Sequence, residues 1–319
     1  MKTKVILIGR LADKLDLIIT DSLGKLTTKD RVVTSVEARD VIRSFDGMLY
    51  HVAYGLVRLG VPPTVISQVG RNFDWHFRPH LEGLGMDLRV FTDSEKETAC
   101  SYMLTDKNGH SLLVNQQNSY RFFAEQQLKE KISSQDLKGY SAGFVATGKA
   151  EADIKFIAEL ATYNRFLPLI YSPDENVNEL TKWKLEPIFK TVALLICREE
   201  ELLIIENRLG KSRTEMLSQF NTLKYIVSIT DRTKIVVHEE KAAMKISEGP
   251  ADEINSKMGW ENAFRAGVIF GVAMKKPIEE AAKLGSALAS YAVERKKYSP
   301  SPEQIALRAF EVKSIRQQI

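Results

Sequence analysis

Histidine and cysteine are common metal-binding residues, and their spacing in this chain argues against such a site. His76 and His80 are four residues apart, which would place both imidazoles on one face of a helix, but Pro79 lies between them. Cys100 and Cys197 are far apart and form no C-x-x-C pair. We therefore predict no metal site on these residue types. His76 and His80 are interpreted as surface or partly buried residues at a helix start.

The composition indicates one globular domain over residues 1–319. Hydrophobic residues make up 44% of the 319 and charged residues 27%, enough for one large α/β core. The net charge of +4 forms no basic tail, so nucleic acid is not an expected partner. The first apolar run is too short for a signal peptide, and no run approaches a transmembrane length. We expect a cytoplasmic protein with no membrane partner.

Strand-like and helix-like segments alternate along most of the chain. Short apolar runs predict strands over residues 5–9, 63–70, 143–148, 167–171, 192–196 and 225–229. Helical periodicity predicts helices over residues 50–59, 77–84, 152–163, 261–274, 277–294 and 302–310. Such alternation is typical of a mostly parallel sheet covered by helices on both faces.

Two early pairs of strands do not fit that alternation. Residues 17–20 and 31–34 have the pattern of half-exposed strands, and residues 99–105 and 111–115 flank the turn Asp106–Gly109. Asn-Gly within that turn is the strongest short signal for a hairpin. These pairs predict a small β element beside the main sheet. Residues 235–237 and 243–246 predict a late antiparallel pair.

Three stretches resemble the signatures of the ribokinase-like (PfkB) carbohydrate and nucleoside kinases. Residues 45–60, FDGMLYHVAYGLVRLG, are similar to Gly-Gly-x-x-x-Asn-x-Ala-x-x-Leu-x-Arg-Leu-Gly. Residues 69–74, VGRNFD, and 81–87, LEGLGMD, are similar to the family's Val-Gly-x-Asp-Phe and the Gly-Val-Asp that follows it. Residues 259–267, GWENAFRAG, lie where the family carries Gly-Ala-Gly-Asp-Ala-Phe-x-Ala-Gly. Their order and spacing match the family over nearly the whole chain.

The resemblance implies an α/β fold, a ribokinase-like three-layer sandwich with a mostly parallel central sheet and a small β lid. The lid would comprise residues of about 15–40 and 97–118 and cover a sugar or nucleoside site. The implied substrate-binding residues are Asp16, Gly47, His51 and Asn115, with His51 standing where the family has Asn. Asp16 is equally a turn residue before an exposed strand, and His51 a helix-start histidine. A homodimer through the lid is a further family-based expectation.

The resemblance places the catalytic centre at Gly259, Glu261 and Asn262. In the family, the glycines let backbone N–H groups at a helix start bind phosphate, and the Asp accepts the proton of the attacking hydroxyl. Here Glu261 replaces the last glycine and Asn262 replaces the Asp. An amide can orient a hydroxyl but has no useful basicity. The glutamate introduces a negative charge where a phosphate would bind; it could alternatively act as a displaced base.

The nucleotide and metal motifs also depart from the family pattern. Ser228, Thr230 and Thr233 occupy the family's Thr-x-Gly-x-x-Gly, so both glycines are lost. Cys197 and Glu200 align with Asn-x-x-Glu, which organises Mg²⁺ through waters. Glu200 is retained as the candidate metal residue, although it is equally a solvated charge, and a thiol is a poor Mg²⁺ ligand.

Three functions follow from these residues. Four functional elements depart from the family pattern: the catalytic base, the last anion-binding glycine, the nucleotide glycines and the asparagine of the metal motif. These departures favour a family member that is inactive or very slow in phosphoryl transfer and retains a ligand-binding or scaffold role. The alternative is an active kinase that uses ATP and Mg²⁺ to phosphorylate a hydroxymethyl group of a sugar or nucleoside; otherwise no cofactor is expected. A structural or regulatory subunit is the third hypothesis, because an exposed lid edge can bind partners.

Overall fold

The computed structural model describes residues 3–25, 35–231, 234–249, 259–292 and 302–318. In those ranges, no helix is both long and apolar enough to cross a membrane. The predicted strand over residues 31–34 and the candidate nucleotide residue Thr233 lie outside the described residues.

The structure contains the following elements. The strands are β1 (Val5–Gly9), β2 (Ala12–Ile19), β3 (Ala38–Asp46), β4 (Thr64–Ile66), β5 (Gln68–Gly70), β6 (Asp87–Leu88), β7 (Phe91–Asp93), β8 (Cys100–Thr105), β9 (Ser111–Gln116), β10 (Ala142–Ala146), β11 (Leu169–Tyr171), β12 (Leu194–Arg198), β13 (Tyr225–Ile229), β14 (Ile235–Glu239), β15 (Ala242–Ile246) and β16 (Ser314–Gln318). The helices are α1 (Met48–Arg58), α2 (Phe73–Gly83), α3 (Ser134–Leu137), α4 (Ala150–Tyr163), α5 (Lys182–Phe189), α6 (Glu199–Leu209), α7 (Arg213–Gln219), α8 (Trp260–Ala273), α9 (Ile278–Ala292) and α10 (Pro302–Glu311). Short 3₁₀ segments cover Leu23–Lys25, Asn118–Glu125, Leu128–Glu130 and Asp174–Glu179.

The main sheet has ten strands in the order β16-β15-β14-β13-β12-β11-β10-β1-β4-β6. The seven strands from β6 to β13 are parallel, and β14, β15 and β16 extend the sheet in antiparallel pairs. Successive side chains of β1 enter opposite faces: Val5 and Leu7 join one hydrophobic core, and Ile6 and Ile8 join the other. Helices α1, α8 and α9 cover the first face, and α4, α5 and α6 cover the second. The predicted α/β architecture is confirmed.

A separate four-stranded sheet, in the order β3-β2-β8-β9, forms the lid. Its hairpin closes at the predicted turn, where the Asp106 carboxylate accepts from the backbone N–H groups of Asn108 and His110. The first lid strand, Ala12–Ile19, begins before the segment predicted over residues 17–20, and the second, Ala38–Asp46, follows the segment predicted over residues 31–34 and was not itself predicted as a strand. Cross-strand pairing through most of their length extends them beyond the local apolar runs.

Other differences have local causes. The strand predicted over residues 63–70 divides at Ser67 into β4, which joins the main sheet, and β5, which pairs with β7. Helix α2 begins at Phe73, before the predicted start, and continues through Pro79. Strand β16 has the polar sequence SIRQQ and no alternation, so only its pairing with β15 reveals it.

Candidate active site

Helices α1 and α8 begin side by side at the carboxyl edge of the parallel strands. Gly47, the residue before α1, lies so close to the end of β1 that a Cβ there would be 2.3 Å from the Arg10 carbonyl oxygen. At the start of α8, Glu261 bonds to Arg198, the last residue of β12. Further along, a Cβ on Gly55 would be 2.5 Å from the Ala266 Cβ. The two helices therefore run in the same direction in close contact.

The start of α8 retains the backbone conformation of a glycine turn. Gly259 has a φ of 90°, which side chains of L-residues rarely allow, and a Cβ would meet nothing within 4 Å. Trp260 is 6% exposed and belongs to the hydrophobic core on the face of the sheet that α1 and α8 cover. Its indole is therefore packed inside the protein. Gly259, Thr230 and Glu200 are all exposed at the ends of elements that meet this edge.

Glu261 and Asn262 belong to an ionic cluster with two arginines. The Glu261 carboxylate lies 3.1 Å from Nε of Arg198 and 3.4 Å from the guanidinium of Arg265. Arg265 also donates to Oδ1 of Asn262 across 3.1 Å, and it is only 2% exposed. Because two cations surround one carboxylate, the cluster carries a formal charge of +1. Glu261 thus neutralises a buried arginine and does not leave the site negative.

On the substrate side, the predicted residues form one hydrogen-bonded chain. His51 Nε2 lies 3.1 Å from Oδ1 of Asp46, and Ser101 hydrogen-bonds to Asp46 from β8. Oγ of Ser101 also lies 2.9 Å from the side-chain amide of Asn115 on β9. Gly47 starts the helix that carries His51. The structure therefore brings together three predicted substrate residues, Gly47, His51 and Asn115.

The ionisation of Asp46 is set by opposing effects. Burial favours the neutral carboxylic acid, but the hydrogen bonds from His51 and from the backbone N–H of Gly47 outweigh it. These bonds hold the pKa of Asp46 well below its ordinary value. Asp46 is therefore an ionised acceptor at neutral pH.

Two aspartates of β2 have different surroundings. Asp16 pairs with Lys14 across 3.0 Å and lies on the same lid face as Ser101. Asp13, closer to the base of the lid, is nearly buried and lies 2.7 Å from His76 Nε2, and it accepts from Asn72 Nδ2 across 3.2 Å.

The nucleotide-side residues are divided between a buried network and the surface. Ser228 is buried, and its hydroxyl lies 3.0 Å from His238 Nε2 and bonds to Glu199. Burial opposes ionisation of Glu199, but its bonds to Arg213 and Ser228 lower its pKa. Thr230 is exposed just beyond the end of β13. The Ser228 hydroxyl is thus engaged inside the protein, and Thr230 is exposed to solvent.

The metal candidates are only partly suitable for Mg²⁺. Cys197 is fully buried, and burial raises the pKa of its thiol well above the usual range. Glu200 is exposed in the first turn of α6 and fits a water-mediated role, since Mg²⁺ keeps several waters and binds few carboxylates. Glu201 instead accepts from the backbone N–H of Arg198 across 2.7 Å and caps α6. Within the described ranges, no group of three metal-ligating side chains occurs.

Sequence reasoning did not single out Asp13, Ser101, Arg198 or Arg265 as site residues. Arg265 lies at the variable position of the α8 motif, so the motif gave no reason to single it out. The i to i+4 spacing of Glu261 and Arg265 was the one available signal, because such residues are neighbours on a helix.

Comparison with known proteins gives consistent matches. The family profile described as pfkB family carbohydrate kinase matches residues 25–305. A nucleoside kinase of Methanocaldococcus jannaschii is 23% identical over 265 residues, which cover 82% of this chain and 83% of the relative. The crystal structure of M. jannaschii nucleoside kinase, an archaeal member of the ribokinase family, superposes with a TM-score of 0.82 at 18% identity, over 97% of this chain and 99% of that one. Burkholderia thailandensis nucleoside kinase in complex with inosine gives a TM-score of 0.76 at 16% identity, with 96% and 97% coverage.

Proposed function

Because this chain belongs to the pfkB family of carbohydrate kinases, we propose that it binds a nucleoside or sugar beneath the lid and transfers phosphate to it slowly or not at all. The binding groups are Asp46, His51, Ser101 and Asn115, and Gly47 positions the helix that carries His51. Inosine is the first ligand to test, since a structural neighbour is described in complex with it.

The observation that carries this proposal is the state of Asn262. Its side-chain oxygen accepts from Arg265, which is buried, across 3.1 Å. An amide oxygen in that bond cannot take a proton from an attacking hydroxyl near neutral pH. General-base catalysis typically contributes about 10²–10⁴-fold to a rate. Loss of the base at this position therefore accounts for slow transfer without any change in ligand binding.

The anion site at Gly259 supports binding more than a purely structural role. The glycine has a positive φ with open space around it, Trp260 is buried in the core, and the nearby ionic cluster is cationic. Under this proposal ATP is the phosphate donor and Mg²⁺ its counterion, with Glu200 holding Mg²⁺ through water. Gly259 and Thr230 are the described groups that face the nucleotide. Glu261 competes with phosphate for Arg198 and weakens nucleotide binding.

Two further features of the protein are proposals. Cys100 and Cys197 are buried free thiols, as is typical of a reducing compartment, and we infer a cytoplasmic location. The outer face of the lid carries exposed apolar side chains, and we infer that it forms a homodimer.

The test combines calorimetry and a turnover assay. The purified chain is titrated with inosine, uridine, ribose and fructose, and then assayed with each of them, ATP and Mg²⁺. We expect one ligand class to bind and turnover to lie far below the usual enzymatic range. A kcat of about 1 s⁻¹ or more, which is ordinary for enzymes, would contradict slow transfer and favour the active kinase. Absence of binding to every member of the panel would favour a scaffold.

A further inference from the structure

We propose that His51 is the proton acceptor for the slow phosphoryl transfer, in the place that Asn262 cannot fill. This inference rests on the proposed function, because it concerns the same ligand and the same cleft. It assigns to the Asp46–His51 pair a role distinct from holding the substrate.

The position of His51 follows from the contact between the two helices. Gly55 of α1 touches Ala266 of α8, and His51 and Asn262 each precede that contact by four residues. Residues four apart lie on one face of a helix, one turn from each other. Since α1 and α8 run in the same direction from the carboxyl edge of the sheet, His51 and Asn262 lie at the same level, each one turn before that contact. A hydroxyl bound between the starts of the two helices can therefore be approached from either residue.

The orientation of the imidazole is set by Asp46. The Asp46 carboxylate lies 3.1 Å from Nε2 of His51, and Ser101 and the backbone N–H of Gly47 hold that carboxylate in place. An ionised carboxylate accepts hydrogen bonds only, so Nε2 carries the hydrogen and Nδ1 keeps the lone pair. A carboxylate behind an imidazole also stabilises the imidazolium that forms when Nδ1 takes a proton.

The charges around His51 come from three elements. Asp46 at the end of β3 favours protonation of the ring, and Tyr50 of α1 packs edge-on with ring centroids 5.2 Å apart. From α8 and the end of β12, Glu261, Arg265 and Arg198 form the ionic cluster of formal charge +1. Asp46, in direct contact with the ring, is therefore the group that stabilises the imidazolium formed during transfer.

The chemical step needs no reactant besides the acceptor hydroxyl and ATP. The acceptor hydroxyl gives its proton to Nδ1 of His51, and its oxygen forms a bond to the γ-phosphorus. The bond from that phosphorus to the β–γ bridging oxygen breaks, and ADP leaves with the bonding electron pair. His51 then returns the proton to solvent. An imidazole is suited to this exchange because histidine ordinarily changes protonation near neutral pH.

The experiment uses the full chain with inosine, γ-labelled ATP and Mg²⁺. His51→Gln and His51→Asn retain a hydrogen-bonding side chain but remove the base. Both should slow transfer about 10-fold or more at saturating inosine, where any change in the Kd for inosine no longer affects the rate. His110 lies on the lid turn, and its side chain is 74% exposed. The control variant His110→Gln should transfer phosphate at the wild-type rate. Adding Asn262→Asp to His51→Gln should restore transfer, which a folding defect would not allow.

A second readout does not depend on turnover. In an NMR spectrum of protein with ¹³C-labelled histidine, the ring signal of His51 should shift when inosine binds. In Asp46→Asn the ring signals should no longer indicate a hydrogen fixed on Nε2, because the carboxylate that accepts it is gone. Unchanged turnover in His51→Gln overturns the inference. So does a wild type that binds inosine but never exceeds the protein-free rate, although that result leaves the proposed ligand binding intact. If no nucleoside or sugar binds at all, the proposed function fails and the inference fails with it.

Discussion

Arg265 donates to the side-chain oxygen of Asn262 across 3.1 Å although only 2% of the arginine is exposed. A carboxylate at residue 262 would accept the same bond and would be a better partner for a buried cation. Two guanidiniums, of Arg198 and Arg265, would then face two carboxylates. The surroundings of Asn262 can therefore accommodate the aspartate that the family carries there.

Asn262→Asp should increase phosphoryl transfer. The substitution restores a base beside the glycine turn, and we expect a gain of about 10-fold or more in ATP-dependent phosphorylation of the bound ligand. Product formation with labelled ATP measures it. Asn207→Asp, on the exposed side of α6, adds the same charge away from the cleft and should leave the rate unchanged. Equal rates in both variants and the wild type would show that residue 262 does not limit transfer.

Glu261→Gln should destabilise the protein. The bridge to Arg198 contributes little because that arginine is 55% exposed, whereas Arg265 loses its charged partner inside the protein. We expect the free energy of unfolding to fall by about 1–3 kcal/mol, measured by urea denaturation. Glu240→Gln, in an exposed turn, should change it by less than about 0.5 kcal/mol. An equal effect at both positions would mean that Glu261 does not stabilise Arg265.

The sequence predicts the main sheet well because its buried strands are short apolar runs closed by turn residues, as in β1 and β10. It predicts the lid hairpin for the same local reason, since Asn108 and Gly109 favour the turn. It cannot predict β16, whose SIRQQ sequence becomes a strand only through pairing with β15. The extent of β3 depends likewise on pairing with β2, which no local pattern encodes.

The candidate site likewise contains residues that the sequence predicts and contacts that it does not. Gly259, Asn262 and His51 stand in recognisable motifs, so their positions follow from the sequence. The links from Ser101 to Asp46 and from Arg198 to Glu261 join residues distant in the chain. Only the fold determines such contacts, and the burial of Arg265 decides that Glu261 acts as its counterion.

The buried His238 should make stability depend on pH. Burial, reinforced by the charge of Arg213, lowers its pKa from 6.5 to about 4. The folded protein thus keeps His238 neutral, while the unfolded chain binds a proton below about pH 6.5. Stability from this residue is fully present above that pH and should decline by roughly 3 kcal/mol as the pH falls to about 4. The free energy of unfolding, measured by urea denaturation at several pH values in this range, should fall less steeply with decreasing pH in His238→Gln than in the wild type. The same pH dependence in both proteins would contradict the assignment.

Gly47→Ala should disrupt the start of α1. Its φ is 97°, and an added Cβ would be 2.3 Å from the Arg10 carbonyl oxygen, so strain and collision act together. We expect a loss of about 2–4 kcal/mol in the free energy of unfolding, together with weaker ligand binding because His51 moves with the helix. Gly210 also has a positive φ, of 63°, but open space around it. Gly210→Ala should therefore lower the free energy of unfolding by only about 1 kcal/mol. An equal loss in Gly47→Ala and Gly210→Ala would show that the collision with Arg10 does not contribute.

The outer face of the lid should mediate self-association. Strand register places Val41, Leu17, Leu104 and Leu112 in one row across all four lid strands. The outermost members, Val41 and Leu112, are 60% and 51% exposed. A continuous apolar row on a sheet face is suited to stacking against a second copy. Light scattering after size exclusion should show a dimer for the wild type and a monomer for Leu112→Glu. Lys107→Glu on the exposed turn should remain dimeric, and a wild type that stays monomeric at all concentrations would rule out this interface.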